Sequence, residues 1–381
     1  VGEPKVVVMQ KLKSLEMVRA FAALLVVLYH TGIIFSTRTG TNPFAGVFSS
    51  GFRGVDLFFV LSGFIIAHVH ASDIGRVRRL GNYVFNRAAR IYPAVWIMTL
   101  FAGVLYAAGF GGHDKADKLT DWGIAASVLL LPQAGAALVN VTWTLKYEVF
   151  FYLVFAMLIL NLRVGLVLLG AWQLAVLTTS VFLSPEALGL GGFYLRSLCL
   201  EFSVGLGCAV LVGRPGSVAA LQAPTVQWGL VVTGLTAFVG GMVAQNDTGS
   251  AGVLCALGAG AIIVGLVLLE QSVRIKVPSV LVLLGGASYA IYVVHFSAIT
   301  LLAVLLSHFR AIPMNDAVFM AGAAFGVTAG IAFDKWVDQP IQRLLRRRLK
   351  PALFGIRQQT QFQLPDVAIE TVRASPASSE N

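Results

Sequence analysis

Arg19 and His30 are ionisable residues inside an otherwise apolar run from Leu15 to Phe35. Eleven helical steps set their side chains about 16 Å apart along the axis and within roughly 20° of one face. One stripe of one spanning helix thus carries a fixed cation near one membrane surface and an imidazole well inside. Ionisable groups in a bilayer are costly and mark functional paths. A neutral imidazole is the side chain best suited to take a proton from an attacking hydroxyl near pH 7. The blander alternative has Arg19 snorkelling to the surface and His30 packed through a hydrogen bond.

Four further places put polar groups where a passive span would not. In Gly54-Val-Asp-Leu-Phe-Phe-Val-Leu-Ser-Gly-Phe64, Asp56 lies near the end of an apolar run and Ser62 with Gly63 in its middle. Small residues at a helix crossing explain Gly63, and an interfacial carboxylate can simply be solvated. Arg87 and Arg90 are three apart, so on a helix both guanidinium groups leave one face. Such a fork matches phosphate oxygens bidentately, although positive residues also anchor spans at the cytoplasmic surface. In Trp143-Thr-Leu-Lys-Tyr-Glu-Val-Phe-Phe-Tyr152, Glu148 has Tyr152 one turn away on its own face. Ser288, Tyr292 and His295 follow at four- and three-residue steps and form one polar stripe, which interhelical hydrogen bonding alone would also explain. His68, His70, His113 and His308 fall near surfaces or in loops and require no special role.

The elements that position these residues are membrane helices. Of 381 residues 57% are hydrophobic and only 12% charged, half the usual charged share. The fold class is all-α and polytopic, integral to the cell membrane, with ten spans: about 15–36, 54–72, 91–111, 143–161, 164–184, 193–213, 227–244, 251–269, 281–307 and 316–337. The stretch 122–139 is short and interrupted by Pro132 and Gly135, so it reads as an eleventh span or a re-entrant piece. Positive charge favours ten, with both termini cytoplasmic. Arg76, Arg78, Arg79, Arg87, Arg90 and the cluster Arg343, Arg346, Arg347, Arg348 and Lys350 then share one side. The net charge of +10 follows this pattern, and neither a zinc-finger nor an RNA-binding motif points to nucleic acid. Cys199, Cys208 and Cys255 lie unpaired in apolar segments and read as small buried hydrophobes, and no metal-ligand spacing is present. The first apolar run is too long for a cleavable signal peptide. Residues 1–11 form an N-terminal extension, 12–350 the transmembrane domain, and 351–381 a Ser/Pro-rich cytoplasmic tail expected to be disordered.

Six pieces in order resemble the acyltransferase-3 family of integral-membrane acyltransferases. They are the opening Ser14-Leu-Glu-Met-Val-Arg-Ala with its Arg19-to-His30 spacing, Phe58-Phe-Val-Leu-Ser-Gly-Phe64, and Arg87-Ala-Ala-Arg90 before Ile-Tyr-Pro. Trp143-Thr-Leu-Lys-Tyr-Glu148, Ser288-Tyr-Ala-Ile-Tyr-Val-Val-His295 and Trp336-Val-Asp-Gln-Pro340 complete the set. One departure is Ala20, where the family often has glycine after the arginine. The resemblance runs from about 12 to 348. It implies transfer of an acyl group, commonly acetyl, from cytoplasmic acyl-CoA to a hydroxyl of a carbohydrate or lipid-linked glycan. No tightly bound cofactor is implied, and partners would be the membrane lipids and polysaccharide biosynthesis proteins. Some members carry a fused extracytoplasmic transferase domain, which the stretch after the last span is too short to hold.

On this reading His30 and Glu148 are the catalytic candidates. Arg19, Arg87 and Arg90 would hold donor phosphates, with Asp56, Ser62, Tyr152, Ser288, Tyr292 and His295 as further substrate-binding candidates. His30 would act as a general base or become acylated itself. Glu148 is the expected partner fixing its tautomer, or else a ligand of acceptor hydroxyls. The rival reading is a permease for a glycan or lipid-linked sugar, with buried charges lining a path. It leaves the arginine fork beside a deep histidine without a purpose.

Overall fold

Apolar runs that must satisfy every backbone amide internally can only become helices in a bilayer. The computed structural model describes residues 12–40, 42–108, 118–183, 185–213, 221–244, 249–273, 275–307 and 315–354. Among these, ten helices are long and apolar enough to cross a membrane, matching the ten spans expected, and none of the described residues forms a strand. The expected extension 1–11 and residues 355–381 of the tail lie outside the described residues.

The helices are α1 (Lys13–Thr39), α2 (Gly54–His70), α3 (Leu80–Ala107), α4 (Asp121–Leu129), α5 (Trp143–Leu160) and α6 (Leu162–Phe182). They continue with α7 (Cys199–Gly213), α8 (Pro224–Val243), α9 (Gly249–Val273), α10 (Ser279–Gly286), α11 (Ser288–Ser307) and α12 (Asp316–Phe333). Short 3-10 turns, such as Pro43–Arg53 before α2, extend several of them. The α2 and α9 spans are the most enclosed, whereas α6 faces outward along most of its length. Leu174, Val181, Phe182 and Val243 are among the large apolar side chains left exposed, as lipid contact requires.

Two local devices fix α1. Its first two amides, Lys13 N and Ser14 N, donate to the Glu270 carboxylate of α9 at 2.8 and 2.9 Å, an N-terminal cap supplied by another span. It ends at Gly40, whose positive φ of 71° lets its amide reach Ser36 O. Close backbone approach fixes α2. A Cβ on Gly63 would run into the Phe202 backbone, and one on Gly205 into Val60 and Phe64, so α2 and α7 cross through paired glycines.

The stretch 122–139 holds no helix long enough to cross a membrane. The nine residues of α4 end at carbonyls that accept from the middle of α3: Trp96 Nε1 to Val128 O at 3.0 Å and Tyr92 OH to Leu129 O at 3.4 Å. The chain then turns back through buried Leu138, Val139 and Val141 into α5. It doubles back without a helix long enough to be an eleventh span. The ninth span differs from the continuous helix expected over 281–307, because it breaks at Ala287 into α10 and α11. At that break Gly285 packs directly on the backbone of Glu16. After α12 the helix runs on through π-turns at Asp334–Asp338 and Leu345–Leu349 to Phe354.

Candidate active site

Residues of α1, α2, α3, α5 and α11 meet around a cavity of about 280 Å³. Arg19 enters from α1, Ser62 from α2, and Arg87 with Arg90 from α3. Glu148 and Tyr152 face it from α5, Ser288 and Tyr292 from α11. Eight of the candidates read from the sequence therefore share one wall, although they come from five helices.

The cavity is strongly cationic. Arg346, from the helix beyond α12, joins Arg19, Arg87 and Arg90, so four guanidinium groups face the single carboxylate of Glu148. Arg19 is tied to Glu16 at 3.2 Å. Arg87 is positioned by a relay from α2. Asp73 Oδ2 lies 2.8 Å from His70 Nδ1, which places a hydrogen there and leaves His70 Nε2 to accept from Arg87 Nη2 at 3.4 Å. The Arg87 guanidinium also lies 5.7 Å from the Tyr152 ring centre, and its buried Nε has no partner. Arg90 stacks over Tyr289 at 5.3 Å.

Glu148 is engaged within this wall. Its Oε1 accepts from Ser62 Oγ at 3.1 Å and from the Tyr152 hydroxyl. Tyr292 OH donates to Val141 O at 3.0 Å and bonds Thr144 Oγ1 at 2.7 Å. Ser288 Oγ is buried without a partner.

His30 departs from expectation. Its partner is His295, not Glu148: His30 Nδ1 lies 3.0 Å from His295 Nε2. His295 is wholly buried, and its Nδ1 faces the Ile291 carbonyl at 2.9 Å. A carbonyl only accepts, so His295 Nδ1 carries the hydrogen and its Nε2 is an acceptor. His30 Nδ1 must then donate, which leaves the lone pair on His30 Nε2. The Ile291 carbonyl sets the tautomers of both rings. The pair sits one ring beyond the cavity, with the His295 and Tyr292 ring centres 5.9 Å apart and Tyr292 in the cavity wall. His30 is also flanked by Tyr29 and Phe296 at 5.1 and 5.3 Å.

Asp56 does not reach the cavity either. Six helical steps turn it about 120° from Ser62, and it pairs instead with Arg53 at 3.3 Å. The residues that sequence reasoning missed are His70, Asp73, Thr144, Tyr289 and Arg346. Arg346 carried a signal, since Arg343 and Arg346 repeat the three-residue spacing of Arg87 and Arg90. Among the described residues no group of His, Cys, Asp and Glu could hold a metal ion.

A family model described as an acyltransferase domain matches residues 12–334. The exopolysaccharide production protein ExoZ of Rhizobium meliloti (strain 1021) is 30% identical over 322 residues, 81% of this chain and 95% of that protein. The O-acetyltransferase OatA of Staphylococcus aureus (strain NCTC 8325 / PS 47) is 28% identical over 160 residues, 39% of this chain and 24% of OatA. Protein 2 in the picA locus of Rhizobium radiobacter is 30% identical over 161 residues, 37% of this chain and 79% of that protein. No solved structure matches.

Proposed function

We propose that this chain, which belongs to the acyltransferase-3 family and is a multi-pass integral-membrane O-acyltransferase, moves an acetyl group from cytoplasmic acetyl-CoA to a carbohydrate hydroxyl. What carries the reading is a guanidinium-lined cavity with an imidazole pair of defined tautomer directly behind Tyr292 of its wall. Four arginines suit a polyanionic donor, and guanidinium groups grip phosphate in pairs. Acetyl-CoA is made in the cytosol, so the Arg19 end of the bundle is assigned to that side, in keeping with the positive charges gathered there.

The thioester would lie at the Ser62 and Tyr292 end of the cavity, and a shift of the Tyr292 ring would open its way to His30. A smaller cleft of about 100 Å³ begins beyond His30 on α1, bordered by Tyr29, Ser36, Asn42 and Phe319. An acceptor hydroxyl entering there would approach the same imidazole past Tyr29, whose ring centre lies 5.1 Å from that of His30. His30 Nε2 takes the hydroxyl proton as the oxygen attacks the thioester carbonyl. The carbon–sulfur bond then breaks, and the proton passes from Nε2 to the departing thiolate. While His30 is protonated, its Nδ1–H bond to His295 becomes charge-assisted, so His295 acts as a positioning residue. Glu148 holds Ser62 and Tyr152 in place and offsets part of the arginine charge.

ExoZ, named for exopolysaccharide production, is similar over nearly its whole length, which favours an exopolysaccharide or its lipid-linked precursor as acceptor. Purified protein in nanodiscs, given acetyl-CoA and a lipid-linked exopolysaccharide precursor as acceptor, should release CoA, and His30→Ala should not. Label that never leaves acetyl-CoA in the unaltered protein, or release by His30→Ala near its rate, would overturn the reading.

A further inference from the structure

A second cavity of about 260 Å³ adjoins the first, between α3, the α10–α11 break and the helix that continues α12. Arg90, Tyr289 and Arg346 stand in both walls, and Arg343 adds another guanidinium group to the second. The same wall holds two carboxylates from the stretch around Trp336-Val-Asp-Gln-Pro340. Asp334 Oδ2 accepts from Gln339 Nε2 at 2.7 Å. Asp338, only 4% exposed, accepts from Gln342 Nε2 at 2.8 Å through Oδ2, while its Oδ1 is buried with no partner.

These groups make two demands on one ligand. Guanidinium groups call for anionic oxygens. The orphan carboxylate oxygen calls for an N–H or O–H and repels a bare anion, and a buried acceptor left unsatisfied in this way is costly. Inorganic phosphate meets the first demand only. A nucleotide meets both, since its phosphates are anionic while its base amine and ribose hydroxyls donate. The shared wall of Arg90, Tyr289 and Arg346 then becomes the passage from nucleotide to acyl arm.

We propose that the second cavity seats the 3′-phosphoadenosine half of the acyl-CoA donor. Arg343 and Arg346 bind its phosphates, and Asp338 Oδ1 accepts a hydrogen from the adenine amine or a ribose hydroxyl. This rests on the acyl-CoA reading above and names where that donor's nucleotide end is held.

The test compares two donors on the full-length protein in nanodiscs: acetyl-CoA, and acetyl-4′-phosphopantetheine, which lacks the nucleotide. The unaltered protein should prefer acetyl-CoA in kcat/KM. Arg343→Gln, at an exposed position that tolerates substitution, and Asp338→Asn should each shrink that preference by about tenfold. Arg348→Gln, which lines neither cavity, should leave it intact. Binding of 3′-phosphoadenosine 5′-phosphate by calorimetry should weaken in Arg343→Gln by a similar factor, independently of turnover. An unchanged preference with unchanged nucleotide binding would overturn the site. Equal loss with both donors would also overturn it, because the residues would then serve the bundle and not the nucleotide. Failure of both donors to support any transfer in the unaltered protein would instead bring down the acyl-CoA reading, and this site with it.

Discussion

His295 makes no direct claim on either substrate, so replacing it tests whether tautomer control matters. In the resting state its Nε2 accepts a neutral hydrogen bond from His30 Nδ1 at 3.0 Å. Such bonds contribute about 0.5–1.5 kcal/mol, and bonds to a charged group about 1.5–3 kcal/mol. The contact therefore strengthens by about 1–1.5 kcal/mol as His30 gains its proton. At about 1.4 kcal/mol per decade, His295→Leu should lower kcat about tenfold. Free choice of tautomer at His30 adds a smaller factor. His295→Gln keeps a side-chain carbonyl able to accept from Nδ1 and should recover part of the loss. The assay is initial CoA release at saturating donor and acceptor, alongside thermal unfolding in the same detergent. Donor KM should stay within about twofold of the unaltered value, since the pair stands outside the arginine-lined wall. A Leu variant as fast as the unaltered protein would refute the reasoning. So would a loss confined to KM, or a Gln variant no better than Leu at equal stability.

Other outcomes follow from the same geometry. His30→Ala should lose about 10²- to 10⁴-fold in rate while still inserting and folding, measured by CoA release and gel filtration. His70→Ala removes the acceptor that steadies Arg87; donor KM should rise a few-fold with kcat unchanged, read by varying acetyl-CoA. Glu148→Ala strips the shared acceptor from Ser62 and Tyr152; each unsatisfied hydroxyl costs about 1–3 kcal/mol, so unfolding should move to clearly lower temperature. Gly63→Ala forces α2 and α7 apart at Phe202 and should destabilise by about 1–3 kcal/mol, visible as a lower midpoint in a detergent titration.

The spans were legible in the sequence because bilayer thickness and backbone satisfaction leave little choice for a run of 20 apolar residues. The shared cavity was partly legible too. Arg87 with Arg90, and Ser288 with Tyr292, declare a common face by helical spacing alone. What local spacing cannot give is which face meets which neighbour. His30 and His295 are 265 residues apart, and nothing within α1 or α11 announces that they touch. Sequence alone pairs Glu148 with His30, because it cannot show which way α5 is turned. The rotation of α5 turns it instead toward Ser62, inside the arginine-lined wall. Asp56 lies about 120° around α2 from Ser62, on the side where Arg53 pairs with it. His70 reads as a surface residue in the sequence, yet only 4% of it is exposed. Arg346 was absorbed into the positive-inside count, where one arginine looks like any other.

The π-turn at Asp334–Asp338 sets the phase of everything after it. Such a turn is an α-helix carrying one surplus residue, and each residue advances the azimuth by about 100°. Arg343 and Arg346 owe their place at the cavity walls to that insertion. Excising Lys335, Trp336 or Val337, none of which lines either cavity, would restore regular winding and swing both guanidinium groups out of the cavity walls. If these arginines hold the donor as proposed, its capture is keyed to a count of residues as much as to their identity, and a one-codon deletion there would silence it while every cavity-lining side chain stays in the sequence.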